Sequence, residues 1–443
     1  MIDSYVYCID FNKITNRLDY VAYNPEKIQF FNKLKKKGAV PLSTFGNLID
    51  DVLEPKNSPE TEYLYIGLED IESDTGIIHV NVLKGKEILS KVKIIKKNDL
   101  VFARLRPYLN KVYLAKEDCI GSTELYVLRI KDDAKREYLF RYLRSNLTLE
   151  QTKWALTGSS LPRLDEEDFK NLLIIIPENL KEILQETNST DVKMNELLKD
   201  KSDSLEKLFS LFSEYNSFKI PANDINYYVI NSDNITTRLD FLWHDPNMIL
   251  FLKKLDILGA INLGDVIEPE IAYGINDYGR EEGKVPFINI ENLNLDGRIH
   301  SNGIRYVNIV KQDKLLKEND ILISRSRGAG VCGLVSKQEE NFTFGSYVLR
   351  IRLKEGSSMD PLYLVYFLNS PIGQLQVRRL ETGSTGSNIN PEQLRHLKVL
   401  LNENTGKLVT KINEYMEHRD TIEKGIKKVE KENRELFEKL VLD

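Results

Sequence analysis

The chain repeats itself. Across 443 residues, Arg17-Leu18-Asp19-Tyr20 returns as Arg238-Leu239-Asp240-Phe241, an offset of 221. The same offset carries Asn24-Pro25 onto Asp245-Pro246, Gly38-Ala39 onto Gly259-Ala260 and Asn98-Asp99 onto Asn319-Asp320. It also carries Tyr126-Val127-Leu128-Arg129-Ile130 onto Tyr347-Val348-Leu349-Arg350-Ile351. After a slip of four residues the offset becomes 225 and maps Thr157-Gly158-Ser159 onto Thr382-Gly383-Ser384. Solenoid and propeller units recur every 20–50 residues or so. A period this long describes a duplicated domain, and the chain is expected to fold as two halves of like build.

Each half predicts the same order of elements. A short helix over 26–37, or 247–258, precedes strand-like runs rich in β-branched and aromatic residues. These runs are 63–66, 76–80, 99–103 and 125–130 in the first half, and 285–288, 320–324 and 346–351 in the second. A helix-like stretch, 136–156 or 361–380, leads to the Thr-Gly-Ser loop, and a short strand, 172–176 or 397–401, closes the domain. Helices and strands mix without regular alternation, which indicates α+β rather than a doubly wound sheet.

A long helix follows each half. In the first, Leu180, Leu184, Thr187, Asp191, Met194, Leu198, Lys201, Leu205, Leu208, Phe212 and Tyr215 step by threes and fours. In the second, Leu408, Ile412, Tyr415, Arg419, Ile422, Ile426, Val429, Asn433, Leu436 and Leu440 do the same. Heptads sustained this long predict a coiled coil, with polar seam residues (Asp191, Lys201, Arg419, Asn433) fixing register at a cost in stability. Each helix covers about 40 residues, roughly 60 Å. Antiparallel pairing of the two would relate the halves by an approximate two-fold axis, so that one chain imitates a symmetric dimer. The expected divisions are 1–177, 178–217, 218–402 and 403–443, alternating domain and helix.

Composition excludes several classes. With 41% hydrophobic and 29% charged residues the chain has the apolar content of a globular protein with two cores. Three widely spaced cysteines, Cys8, Cys119 and Cys332, form neither a disulfide framework nor a zinc site. The first residues have no basic-then-apolar signal pattern and no run is long enough to span a membrane, so a cytoplasmic location is expected. Five histidines fall into no metal-binding spacing, and the phosphate-binding and nucleophile-elbow loops are missing. Asn24-Pro25-Glu26-Lys27 and Asp245-Pro246-Asn247-Met248 are distantly similar to the Asn/Asp-Pro-Pro-aromatic motif of amino-methyltransferases. Both lack the second proline and the aromatic, and a helix start accounts for them better. No catalytic residue, metal or bound cofactor is expected.

Binding chemistry is more visible. Net charge is −5, yet between Lys91 and Lys116 eight cations face one acid, Asp99, a local +7. The window 312–337 carries five cations and three acids. Binding responds to local potential rather than to the total. Phe102-Ala103-Arg104-Leu105-Arg106-Pro107 matches Ile323-Ser324-Arg325-Ser326-Arg327-Gly328. In each, two arginines at alternate positions after an apolar strand are expected on one face, where guanidinium forks suit phosphate and guanine edges. The second pair of segments, Thr157 to Arg163 and Thr382 to Asn388, offers small hydroxyls and glycines to phosphate oxygens. The candidate DNA contacts are Lys96, Lys97, Arg104, Arg106, Lys111, Ser159, Ser160 and Arg163 in the first half. In the second they are Arg325, Arg327, Ser384, Thr385, Ser387 and Asn388.

Domain, Thr-Gly-Ser loop, closing strand near Pro177, long helix and then the same again: this resembles the specificity subunit of type I restriction-modification systems, over essentially the whole chain. The resemblance implies two mixed α/β target-recognition domains separated by an antiparallel two-helix coiled coil, an internal pseudo-two-fold repeat. Each domain would read one half of a bipartite double-stranded DNA site, with the helices as the ruler for the spacer. It implies a non-catalytic subunit that recruits two methyltransferase subunits, which use S-adenosylmethionine on adenine. In full complexes it also implies translocating endonuclease subunits, in a system of DNA methylation and phage defence. One departure is local: of a Pro-Pro-Leu-x-Glu-Gln-like helix opening, Pro177-Glu178-Asn179-Leu180 keeps one proline and Leu400-Leu401-Asn402-Glu403 keeps none. The alternative expectation is a non-catalytic scaffold, or the specificity module of a related phage-defence or methylation system.

Overall fold

The computed structural model describes residues 24–442 apart from Glu69, His79, Val80, 156–161, 216–240, Tyr278, Glu281, 301–303, Arg327 and 381–387. The chain divides into two compact units, one of residues 1–197 with 424–443, the other of residues 198–423.

The first unit opens on α1 (Pro25–Lys36). The Asn24 side chain accepts from the Glu26 N–H at 2.9 Å, and Pro25 takes the first helical turn, where its missing N–H costs nothing. Gly38, at φ 75°, ends the helix, and the Ala39 N–H reaches back to the Leu34 carbonyl. Strands β1 (Val40–Pro41), β2 (Asn47–Ile49), β3 (Val52–Leu53), β4 (Glu62–Ile66), β5 (Asn81–Lys84) and β6 (Val92–Ile95) follow. Then come β7 (Leu100–Ala103), β8 (Val112–Leu114), β9 (Cys119–Ser122) and β10 (Leu125–Arg129). Helices α2 (Asp133–Arg144), α3 (Asn146–Ala155) and α4 (Glu166–Lys170), strand β11 (Leu173–Ile174) and the long α5 (Leu180–Tyr215) complete the series. The strands form sheets ordered β2-β10-β7-β8 and β3-β6-β9-β4-β5, with β1 paired to β11. One face of β7 and β10 (Leu100, Phe102, Tyr126, Leu128) packs on the helices; the other (Val101, Ala103, Leu125, Val127) packs on the second sheet.

The second unit repeats the plan. Helices α6 (Phe241–His244) and α7 (Pro246–Ile257) precede β12 (Ile261–Asn262), α8 (Leu263–Val266), β13 (Ala272–Tyr273), β14 (Val285–Ile288) and β15 (Arg305–Val307). Next are β16 (Ile321–Ser324), β17 (Cys332–Leu334), β18 (Thr343–Phe344) and β19 (Val348–Ile351). Helices α9 (Pro361–Asn369), α10 (Pro371–Leu380) and α11 (Pro391–Arg395), strand β20 (Lys398–Val399) and the long α12 (Thr405–Leu442) follow. The sheets run β13-β19-β16-β17 and β15-β14-β18, with β12 paired to β20. β14 and β18 are parallel, as β4 and β9 are in the first unit.

The structure departs from the sequence reading in three places along the chain. The stretches 136–156 and 361–380 are each two helices. Ser145 and Ser370 leave helical geometry, and each hydroxyl bonds back to the carbonyl three residues earlier. Around 76–80, Ile78 makes only an isolated bridge and the strand is β5, further on. The match of 126–130 with 347–351 does not give the structural register: Leu128 faces Leu100 while Ile351 faces Ile321, an offset of 223 (351 − 128) beside one of 221 (321 − 100). A slip of two residues keeps every side chain on its own face, so the apolar pattern cannot detect it. The buried Asp99 therefore takes Arg129 at 2.7 Å to each carboxylate oxygen, whereas Asp320 takes Arg352 at 2.5 and 2.9 Å. Arg350, the sequence match of Arg129, lies buried over the Phe344 ring, with its Nε 3.9 Å from Asp320 and no hydrogen bond to it.

Each unit's core uses side chains from both long helices. In the first, Ile183 of α5 joins Phe437 and Val441 of α12. In the second, Leu408, Ile412 and Tyr415 of α12 join Leu208 and Phe212 of α5. The expected seam rotates near the chain end, from Leu436 and Leu440 to Phe437 and Val441, because that end faces the aromatic rings of α2. The first unit's helix segments are antiparallel: Asn433 donates to Asp191 at 3.1 Å, and further along α5 Leu197 packs at Gly425. In the second, Arg419 is fully buried and reaches Asp296 at 2.5 Å and Glu423 at 2.8 Å. Among the described residues no helix is long and apolar enough to cross a membrane.

Asp296 also accepts from the Arg298 N–H at 3.0 Å and lies 2.8 Å from His300. Burial raises its pKa, but the His300 hydrogen bond, the His300 charge and Arg419 outweigh burial and hold it at about 2, below the ordinary 3.8. A carboxylate depressed in the folded state contributes stability that is complete above its unfolded pKa and lost as pH falls through the folded value. The second unit is therefore expected to lose about 2 kcal/mol between pH 4 and pH 2. Asp296→Asn should flatten that part of an acid titration of its stability; an unchanged acid limb would remove Asp296 as the cause.

Candidate nucleic-acid interface

Strand β7 ends at Ala103, and the next residues are laced to two other segments. The Arg104 N–H donates to the Glu124 carbonyl at 3.0 Å, and the Arg104 carbonyl accepts from the Leu164 N–H at 2.9 Å. Leu105 pairs with Arg163, and the Arg106 N–H donates to Pro162. In the second unit the Arg325 N–H donates to the Tyr347 carbonyl at 2.9 Å, its carbonyl accepts from the Ile389 N–H at 2.9 Å, and Ser326 pairs with Asn388. Each sheet end thus gathers the strand exit, the turn that enters β10 or β19 from a strand of the other sheet, and the segment after the Thr-Gly-Ser loop.

The side chains there differ. In the first unit Glu124 sits between two guanidinium groups: Arg163 reaches it at 3.1 and 3.2 Å, and Arg104 Nε lies 3.8 Å away. Arg163 gains this carboxylate partner and its pKa rises above the ordinary guanidinium range. Arg104 lies over the Tyr126 ring, 5.5 Å from its centre. That ring is buried against Phe169 and its hydroxyl donates to the Leu164 carbonyl, so the platform under Arg104 is rigid. Burial pushes the Tyr126 pKa up to about 12 despite nearby Arg104, so it stays a neutral donor at physiological pH. In the second unit Arg325 lies 5.1 Å from the centre of the Tyr273 ring, with Tyr347 and Asn388 exposed beside it. The Nε atoms of Arg104 and Arg325 are both buried without a hydrogen bond.

The predicted contacts do not all gather here. Arg104 and Arg163 meet, as do Arg325 and Asn388 along the backbone. Lys96 and Lys97 lie at the opposite end of β7, roughly 13 Å away by strand rise. There Lys96 pairs with Asp118 at 2.8 Å, and the same carboxylate caps the Lys97 N–H. Lys111 donates to the Leu68 carbonyl at 2.7 Å. The two arginines do not share one strand face: Arg106 turns left-handed (φ 51°, ψ 58°) into Pro107, which ends the alternation that would align it with Arg104. Ser159, Ser160, Arg327, Ser384, Thr385 and Ser387 lie outside the described residues. The apparent +7 is also smaller in space, because Lys91, Lys93, Lys96 and Arg104 pair with Glu54, Asp50, Asp118 and Glu124, none of them in that stretch. Glu124, Tyr273 and Tyr347 were not among the expected residues. The position of Glu124 in the turn directly before β10 was the available signal.

Two α+β units of one plan, each closed by segments of two long helices, define a duplicated two-domain protein. The family model described as "Type I restriction modification DNA specificity domain" matches residues 27–207 and 261–431, most of the chain. The chain belongs to that family, whose members supply DNA specificity and not catalysis. It is similar to a solved chain from work on complex assembly and conformational transition of the type I R-M system: 19% identity, TM-score 0.36, with 91% of this chain and 96% of that one covered. It is similar to the HsdS subunit from Thermoanaerobacter tengcongensis at 17% identity and TM-score 0.34, covering 90% and 95%. The type I restriction-modification S subunit from M. genitalium is 15% identical, with TM-score 0.35 and 91% and 95% covered. No curated protein matches the sequence.

Proposed function

We propose that each unit reads one half of a bipartite, asymmetric DNA site, that α5 and α12 set the unspecified spacer, and that the chain docks two methyltransferase subunits. The observation that carries this reading is the common backbone frame at the two sheet ends, with an arginine at the same fold position (Arg104, Arg325) and different neighbours. S-adenosylmethionine would then be bound by the methyltransferase partner and not by this chain. Endonuclease subunits would join in the full complex. Partners that bring their own cations relieve a chain of net charge −5 of much of the phosphate neutralisation, so its own DNA affinity should be modest and salt-sensitive.

Arg104→Ala is expected to alter only one half of the methylated motif and Arg325→Ala only the other, as read by methylome sequencing of cells carrying the complete system. A motif unchanged in both variants would contradict the arginine assignment. Deleting seven residues from each of α5 and α12 should shorten the spacer or abolish methylation; an unaltered spacer would rule out the ruler.

A further inference from the structure

We infer that three fold-equivalent positions, 104/325, 124/347 and 163/388, are where each unit reads base edges, with a G·C contact assigned to the first unit and an adenine contact to the second. The inference rests on the DNA-specificity reading above and names the residues and base classes of that site. The equivalence comes from backbone bonding alone: the same N–H to carbonyl link from 104 to 124 recurs from 325 to 347, and the same antiparallel pair joins 105 to 163 and 326 to 388. One frame therefore holds Arg, Glu and Arg in the first unit and Arg, Tyr and Asn in the second. An identical frame with exchanged side chains is what two readers of different sequences require.

The side-chain chemistry separates base edges from phosphate. Glu124 stands between Arg104 and Arg163 and would repel a phosphate brought to that point. A G·C pair offers both partners the cluster needs: guanine N7 and O6 accept from an arginine fork, and the cytosine amino group donates to a carboxylate. The Glu124 contact orients the Arg163 fork before DNA arrives, and the Tyr126 platform does so for Arg104. In the second unit Tyr347 replaces the carboxylate and is exposed, Tyr273 supports Arg325, and Asn388 is exposed on the paired segment. An asparagine amide matches adenine N6 and N7 in a bidentate pair.

The test uses the full chain co-purified with its methyltransferase partner and a set of duplexes carrying every single base-pair substitution across the methylated motif. Each variant is measured by competition against its own best duplex, so a general loss of affinity does not obscure the pattern. The unmodified complex should discriminate at a G·C pair in one half and an A·T pair in the other by roughly fivefold or more. Arg163→Ala and the near-isosteric Glu124→Gln should bring the G·C discrimination within about twofold and leave every other position unchanged. Asn388→Ala and Asn388→Asp should do the same at the A·T pair only. A penalty profile identical to that of the unmodified complex would overturn the inference, and so would an equal weakening at every position, the mark of a phosphate contact. Either result leaves the two-part reading standing; an unmodified complex without a two-part motif overturns both.

Discussion

Phe437→Ala is expected to destabilise the first unit by about 3–5 kcal/mol, the usual cost of emptying a buried aromatic site. The ring is almost fully buried and packs 5.4 Å from Tyr138 and 6.3 Å from Tyr142, centre to centre, in the core that holds Leu34, Phe169 and Ile183. The two tyrosines lie almost 300 residues earlier in the chain (437 − 138 = 299, 437 − 142 = 295), so the first unit is not a product of the first half of the sequence alone. Hydrogen exchange should show amides of β7, β10 and α2 losing protection while those of β16, β19 and α9 keep theirs. Phe212→Ala, which removes the ring stacked on Tyr363 and set edge-on to Phe367, is expected to reverse the pattern. Equal loss in both units, or none, would exclude this account of the two cores.

Arg419→Ala is expected to cost the second unit about 3–5 kcal/mol, since removing one partner of a buried ion pair leaves the other charge unpaired. Arg419 is fully buried, and its guanidinium links Asp296 and Glu423. Asp296 would retain His300 and the Arg298 N–H, so its pKa should rise from about 2 and the acid limb should move to higher pH. Arg419→Met combined with Asp296→Asn should recover much of the loss, because the desolvated charge is then removed from both sides. Chemical denaturation followed by a probe in the second unit measures both variants. A double variant no more stable than Arg419→Ala would show that packing, not the buried charge, set the cost.

Much of the fold was legible because its signals are local. Asn24-Pro25 and Asp245-Pro246 start helices, and Gly38 and Gly259 stop them, through bonds that span two to five residues. The step of threes and fours marked both long helices for the same reason. The candidate site was less legible. Arg104, Arg325 and the segments at Arg163 and Asn388 stood out by recurring, yet Glu124 meets Arg163 across 39 residues of chain, and its fold equivalent, Tyr347, is not acidic. Lys96 and Lys111, expected as DNA contacts from the charge count, lie apart from the Arg104 strand exit: one pairs with Asp118 and the other donates to the Leu68 carbonyl.

From the sequence by itself came the duplication, the order of elements in each half, the two long helices and the family resemblance. These depend on periodicity, caps and recurrence, which neighbours along the chain encode. Only the tertiary structure decided that Asp320 takes its two hydrogen bonds from Arg352, with Arg350 no nearer than 3.9 Å, that Phe437 and Val441 close the first unit's core, and that Glu124 lies between two arginines. The physical reason is that a strand shifted by two residues, or a helix rotated by one position, preserves nearly the same apolar pattern. Packing between segments distant in sequence selects among these equivalent solutions.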